Sequence, residues 1–203
     1  MPKGLSIRRD KRKGEQIIMD ILIAGVGGQG TLLASRVLGR YALDNGLDCK
    51  LSEVHGMSQR GGSVITFVRL GKDIYSPIIE TGGADVVIAF EKLEALRYAH
   101  YLKEGGMMLY STQEIMPMPV VIGACEYPSD IEERLPKNKF AVDALGLAEK
   151  AGNSKAANSV MIGAFTKIMK LDKDKMKAAL MASIPQKLTE INDRAFEYGY
   201  AAE

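Results

Sequence analysis

Cysteine and histidine are scarce in this chain, and their scarcity argues against an iron–sulfur or zinc centre held by this chain alone. Cys49 and Cys125 are the only cysteines among 203 residues and lie 76 positions apart. Two thiolates cannot supply the four ligands of an iron–sulfur cluster, and with His55 and His100 they form no zinc spacing. Both are expected to be reduced core residues in strands or strand ends. No apolar run reaches the roughly 18 residues a membrane helix requires. The basic N-terminus is not followed by a long apolar segment and a small-residue cleavage site, so no secretory signal is expected and the expected location is cytoplasmic. Internal repeats and low-complexity tracts are absent too.

What remains is an ordinary globular composition, 46% hydrophobic and 26% charged, with length enough for one domain and an ample core. The formal charge of +2 is unevenly spread. Residues 1–18 carry six basic residues (Lys3, Arg8, Arg9, Lys11, Arg12, Lys13) against Asp10 and Glu15, which is +4 and leaves −2 for the rest. These 18 residues are expected to be a disordered basic leader, and residues 19–203 a single domain. The folded part has no basic excess to suggest a nucleic-acid surface.

The apolar strand Ile21-Leu22-Ile23-Ala24 empties into Gly25-Val26-Gly27-Gly28-Gln29-Gly30. Leu32, Leu33, Val37, Leu38 and Tyr41 then recur at helical spacing. Strand, G-x-G-x-x-G loop and helix occur in the order of a dinucleotide fold, where glycines permit a tight turn and close approach of backbone to ligand. A helix beginning near Gly28 directs its unpaired N–H groups at the loop, which favours an anion such as phosphate. The competing reading is a purely structural tight turn.

The helix is expected to stop near Asn45-Gly46, and a second, parallel strand to run from Cys49 to Val54, completing a βαβ unit. A polar loop, His55 to Gly62, precedes the strand Val64 to Val68. Gly71-Lys72-Asp73 predicts a hairpin turn into Ile74-Tyr75. Strands follow over 85–90, 107–111 and 120–124, with a helix over 91–101. From about residue 142 the pattern is helical. Ala157, Val160, Met161, Ala164, Phe165 and Ile168 form one apolar stripe, Asp172 or Asp174 caps the next helix, and Leu188, Ile191, Ala195 and Tyr198 mark a last one. The expected fold is α/β: a doubly wound, mostly parallel Rossmann-like sheet with a β-hairpin edge and a C-terminal helical segment.

The second loop separates this chain from a generic nucleotide fold. Glu53-Val54-His55-Gly56-Met57-Ser58-Gln59-Arg60-Gly61-Gly62-Ser63-Val64, with the glycine loop, resembles the small (beta) subunit of indolepyruvate ferredoxin oxidoreductase. The likeness extends through Ser76-Pro77-Ile78, Ala84 to Glu91, Tyr127 to Ile131 and Asn158 to Ala164, covering nearly the whole chain from Met19. It implies a gamma-type domain of the 2-oxoacid:ferredoxin oxidoreductases. In those enzymes thiamine diphosphate decarboxylates a 2-oxoacid, 4Fe-4S clusters pass electrons singly to ferredoxin, and coenzyme A accepts the acyl group. The large (alpha) partner subunit then holds thiamine and clusters, in keeping with this chain's two cysteines and its lack of a Gly-Asp-Gly thiamine motif.

The resemblance implies no catalytic residue here. It places possible contacts to coenzyme A on Gly25, Gly27, Gly28, Gln29, Gly30 and Thr31, and on Glu53, His55, Ser58, Gln59, Arg60, Gly61 and Gly62. Arg60 suits a phosphate by its bidentate fork and suits a subunit interface equally. Glu53 is placed either to accept from a ribose or to cap the following loop. His55 is either a proton shuttle or a hydrogen-bonder that fixes the loop, and Gln29 either contacts a ligand or bridges loop backbones. The alternatives to the aryl-oxoacid assignment are a gamma subunit acting on pyruvate, a branched-chain oxoacid or 2-oxoglutarate, and a stand-alone nucleotide sensor.

Overall fold

The computed structural model describes residues 8–9, 17–56 and 61–203, with side chains from residue 19 onward. Strands β1 (Arg8–Arg9) and β2 (Ile17–Val26) pair antiparallel, Arg8 opposite Ile18. Helix α1 (Thr31–Asp44) leads to β3 (Asp48–His55), then β4 (Ser63–Gly71) and β5 (Ala84–Ala89). Helix α2 (Lys92–Tyr98) precedes β6 (Leu102–Ser111), and two short helices, α3 (Met118–Val121) and α4 (Ile131–Arg134), precede β7 (Lys139–Val142). The remainder is helical: α5 (Ala144–Ala151), α6 (Ala157–Ile168), α7 (Lys173–Ala182) and α8 (Thr189–Ala201). The basic leader, apart from Arg8–Arg9 and the first residues of β2, lies outside the described residues.

The sheet runs β3-β4-β2-β5-β6-β7. The pairs β2–β5, β5–β6 and β6–β7 are parallel, whereas β4 runs against both β2 and β3. Central strands covered on both faces are apolar at every position, and β5 is buried along its whole length. Alternate residues of β2 serve two cores. Ile21 and Ile23 pack with α1 and the C-terminal helices, while Leu22 and Ala24 pack with Ala95 of α2 and Ile131 of α4. The doubly wound α/β class read from the pattern is the class observed.

Four local expectations differ. First, α1 begins at Thr31 rather than near Gly28, because Gly30 at its N-cap has φ +83° and cannot belong to the helix. Second, β3 shares β2's direction but does not lie beside it, since the connection over 56–62 folds β4 back between them. β4 is apolar toward both faces and suits that central place, whereas β3, with Lys50, Ser52 and Glu53, suits an edge. The hairpin is therefore β3–β4; Ile74-Tyr75 form no strand, and Tyr75 is fully exposed. Third, residues 120–124 hold the end of α3 and a turn, because Pro117 and Pro119 suit a helix start and cannot donate to a sheet ladder. Fourth, Cys125 follows that turn and is exposed, while Cys49 is half-buried against the core. Strand β7 was not anticipated.

Close helix packing closes the C-terminal layer. A Cβ on Gly199 of α8 would lie 1.9 Å from the Val160 carbonyl oxygen, and one on Gly163 of α6 would lie 2.2 Å from that of Phe196. Ala in a helix is ordinarily worth roughly 0.5–1 kcal/mol over Gly, so the packing reverses the usual sign. Gly199→Ala is expected to lower the unfolding free energy by about 2–3 kcal/mol in urea titrations. An unchanged midpoint would contradict the contact. Burial, and secondarily Asp48, push the Cys49 thiol up to about 11. A thiol reagent at pH 8 should therefore modify one cysteine per native chain, Cys125, and both only in denaturant.

Candidate functional site

Strands β2 and β5 lie side by side and part company at their carboxyl ends. The chain leaves β2 through α1 toward the β3 edge and leaves β5 through α2 toward β6, and these helices pack on opposite faces. Such a topological switch opens a crevice in α/β sheets, and the glycine loop stands in it.

One side chain spans the switch. Gln29 Oε1 accepts from the Val26 amide (2.8 Å), and its Nε2 donates to the Phe90 carbonyl (2.9 Å) and to Gln113 Oε1 (3.1 Å). It thereby joins the ends of β2 and β5 and the chain beyond β6, bridging loop backbones while also lining a cleft beside the loop. Gly25 is needed beneath it, since a Cβ there would lie 3.1 Å from Gln29 Oε1 and 3.0 Å from Thr31 Cγ2. A further pair of backbone bonds ties the two sequence motifs together: Gly27 N–H donates to Gly62 O (2.8 Å) and Gly61 N–H to Gly27 O (3.4 Å). Ser58, Gln59 and Arg60 lie outside the described residues.

Two clefts flank the glycine loop. The first, about 440 Å³, is lined by Gly27, Gly28, Gly30, Thr31 and Leu32 on one wall and by Glu53, His55 and Val64 on the other. His55 Nδ1 and Glu53 Oε1 are 3.4 Å apart, and Glu53 Oε2 is buried with no hydrogen-bond partner among the described residues. The structure thus brings the glycine loop, Glu53 and His55 into one space. The second cleft, about 460 Å³, lies across the loop over the ends of β5, β6 and β7, with Gln113, Lys155 and Asn158 among its polar lining. None of these three was selected from the sequence. Asn158 fell within a quoted similar stretch, but its neighbours were read as an apolar stripe.

The outer wall of the switch is fixed by two buried acids. Glu91 caps α2 by accepting from the Glu94 amide (2.8 Å), and its other oxygen accepts from the Ile115 amide (3.1 Å) and the Tyr127 hydroxyl (2.8 Å). Burial, reinforced by this bond to a carboxylate, drives the Tyr127 hydroxyl well above its usual range. Glu94 pairs with Arg97 at 3.0 Å and accepts from Ser63, which also bonds Tyr98 at 2.9 Å. Ser63 opens β4, so the second loop is anchored to α2. Among the described residues no group of His, Cys, Asp and Glu is placed to hold a metal ion, and no helix is long and apolar enough to cross a membrane.

The bridging geometry of Gln29 yields a test. In Gln29→Glu, a neutral carboxyl can donate to the Phe90 carbonyl, whereas a carboxylate would face it and Gln113 Oε1 with no proton to give. The folded-state pKa is therefore raised above the ordinary value of about 4.3. The folded form then binds more protons than the unfolded form, so the variant's stability should fall as pH rises above that value. Thermal melts at pH 4.5 and pH 8 check this; a variant relatively more stable at pH 8 contradicts the bridge.

The profile of the family described as pyruvate ferredoxin/flavodoxin oxidoreductase matches residues 20–202. The indolepyruvate oxidoreductase subunit IorB of Thermococcus kodakarensis is 42% identical over 191 residues, covering 90% of this chain and 95% of that protein. Among solved structures, the keto/oxoacid ferredoxin oxidoreductase gamma subunit from Geobacter sulfurreducens superposes with TM-score 0.67 at 25% identity, covering 90% of this chain and 96% of that one. The 2-oxoglutarate:ferredoxin oxidoreductase from Magnetococcus marinus, solved with 2-oxoglutarate, coenzyme A and succinyl-CoA bound, shares the fold at TM-score 0.71 and 19% identity, over 91% of this chain and 30% of that one. A match over nearly the whole domain, with this identity to a subunit of the same extent, shows that the chain belongs to the pyruvate ferredoxin/flavodoxin oxidoreductase family.

Proposed function

We propose that this chain is the non-redox small subunit of a heteromeric, thiamine-diphosphate-dependent indolepyruvate (aryl-2-oxoacid):ferredoxin oxidoreductase. The enzyme would make arylacetyl-CoA, CO2 and reduced ferredoxin. The observation that carries this reading is the 42% identity to an indolepyruvate oxidoreductase subunit over 95% of its length. The large partner subunit would hold thiamine diphosphate and the 4Fe-4S clusters and pass electrons to ferredoxin in the cytoplasm.

This chain's own task in that scheme is to help hold the nucleotide end of coenzyme A, whose thiol supplies the acyl acceptor. Binding energy on remote phosphates positions a reacting group without taking part in bond making. The residues fit such a ligand. Gly28 and Gly30 have φ +107° and +83°, so the loop is built from conformations that leave its backbone unobstructed by side chains. The loop also leads directly into the positive end of a 14-residue helix. Coenzyme A bound to a protein of this fold supports the same assignment.

Anaerobic, indolepyruvate-dependent reduction of ferredoxin or a dye is the test, with this chain, the large subunit, and both together. Activity is expected only in the mixture, faster with aryl than with aliphatic oxoacids, and dependent on coenzyme A. Arg60→Ala is expected to raise the coenzyme A requirement with assembly intact. A large subunit fully active alone, or an inert mixture with every oxoacid tried, would overturn the reading.

A further inference from the structure

We infer that the loop between β6 and α4, which carries α3, is a rigid apolar anchor that seats in the large partner subunit. From Ile115 to Cys125 the chain runs eleven residues without a charge. Met116, Met118, Val121 and Ile122 are 47%, 68%, 65% and 70% exposed. They set apolar surface on the order of 400 Å² in one short stretch, a concentration that marks an interaction site. The loop is built to hold that surface out. Glu91, itself 1% exposed, accepts from the Ile115 amide at 3.1 Å and from the Tyr127 hydroxyl at 2.8 Å through the same oxygen, so one carboxylate clasps both ends. Between them the backbone closes on itself: Val121 N–H donates to Pro117 O (3.1 Å) and Ala124 N–H to Pro119 O (2.8 Å). Compact loops tied at the base are frequently functional, and a preordered anchor gives up little conformational freedom when a partner covers it.

Size, charge and position select the large subunit over a second copy of this chain. A stable interface takes about 800 Å² from each side, so two copies meeting loop to loop would reach roughly half of it. A larger partner adds the adjoining surface. Residues 112–134 carry five acids, Glu114, Glu126, Asp130, Glu132 and Glu133, against Arg134 alone, a balance of −4. Lys92, which pairs with Glu114 and Glu132, brings it to −3. A second copy would set one acidic rim against another, whereas an apolar recess ringed by basic residues complements it. The loop also leaves the carboxyl end of β6, on the side of the sheet where the glycine loop lies. Gln113, two residues before the uncharged run, accepts from Gln29 and lines the second cleft. A partner that seats the loop therefore lies at the mouth of that cleft, where a subunit holding thiamine diphosphate must approach the acyl acceptor.

This inference rests on the heteromeric reading and names the face through which the subunits meet. Val121→Asp combined with Ile122→Asp charges two side chains that are exposed in the free chain, so the variant is expected to melt with the parent. Its Kd for the large subunit, measured calorimetrically, is expected to rise about thirtyfold or more through loss of the buried anchor. Glu126→Lys should slow association and reduce its dependence on salt. The wild-type proteins supply a further readout that needs no variant. Cys125, exposed in the free chain, should be shielded from a thiol reagent by the large subunit, as followed on its own peptide by mass spectrometry.

An unchanged Kd in the folded double variant, or Cys125 equally reactive with and without the large subunit, would overturn the anchor and leave the heteromeric enzyme standing. Self-association of the isolated chain, abolished by the same double variant while the large subunit still binds it normally, would assign the loop to a second copy and overturn the inference as well. A wild-type chain that fails to bind the large subunit at all would remove both readings together.

Discussion

The bonds of the Gln29 amide are the constraint on which the site depends. Parallel strands diverge beyond a switch point, and nothing in the sheet ladder holds their ends together once the last backbone pair is made. Gln29 supplies that closure with one acceptor and one donor group, reaching the ends of β2 and β5 and, through Gln113, the chain beyond β6. An amide is well suited to the task because it offers both hydrogen-bonding senses without a charge to desolvate. The walls of both clefts follow from this placement, since Gly28 and Gly30 are positioned on either side of the same residue.

A second constraint comes from the reversed strand. Inserting β4 between β3 and β2 returns the motif after Glu53 to the glycine loop, where Gly27 exchanges backbone bonds with Gly61 and Gly62. Two sequence segments separated by a helix and a strand thereby form one surface. Ser63 then fastens this surface to Glu94, on the helix of the opposite face. The site is consequently held from both layers of the fold, although its ligand-facing parts are loops.

The fold class was legible because burial on two faces writes itself as unbroken apolar strands, and the helices as stripes with terminal glycine or aspartate signals. Asp172 caps α7 by accepting from the Lys175 amide at 3.0 Å, as its position suggested. Strand order was not legible, because a seven-residue connection and an α-helical crossover both deliver a strand of suitable composition, and only pairing in space decides which lies centrally. The segment after Pro117 misled for a related reason: Val120, Val121 and Ile122 have strand composition, but the prolines decide its conformation and leave the last two largely exposed. Of the site, the glycine loop, Glu53 and His55 were readable from motif and spacing, and the family resemblance agreed with the relatives found. Asn158, Gln113 and Lys155 were not, since they meet at the second cleft only through folding, which no spacing records.

The partition made by the glycine loop has a thermodynamic consequence. Gly28 and Gly30 belong to the walls of both clefts, so a displacement of the loop that enlarges one space contracts the other. Any occupant of the first cleft that moves this partition changes the affinity of the second by some factor, and linkage requires the second occupant to change the first by the same factor.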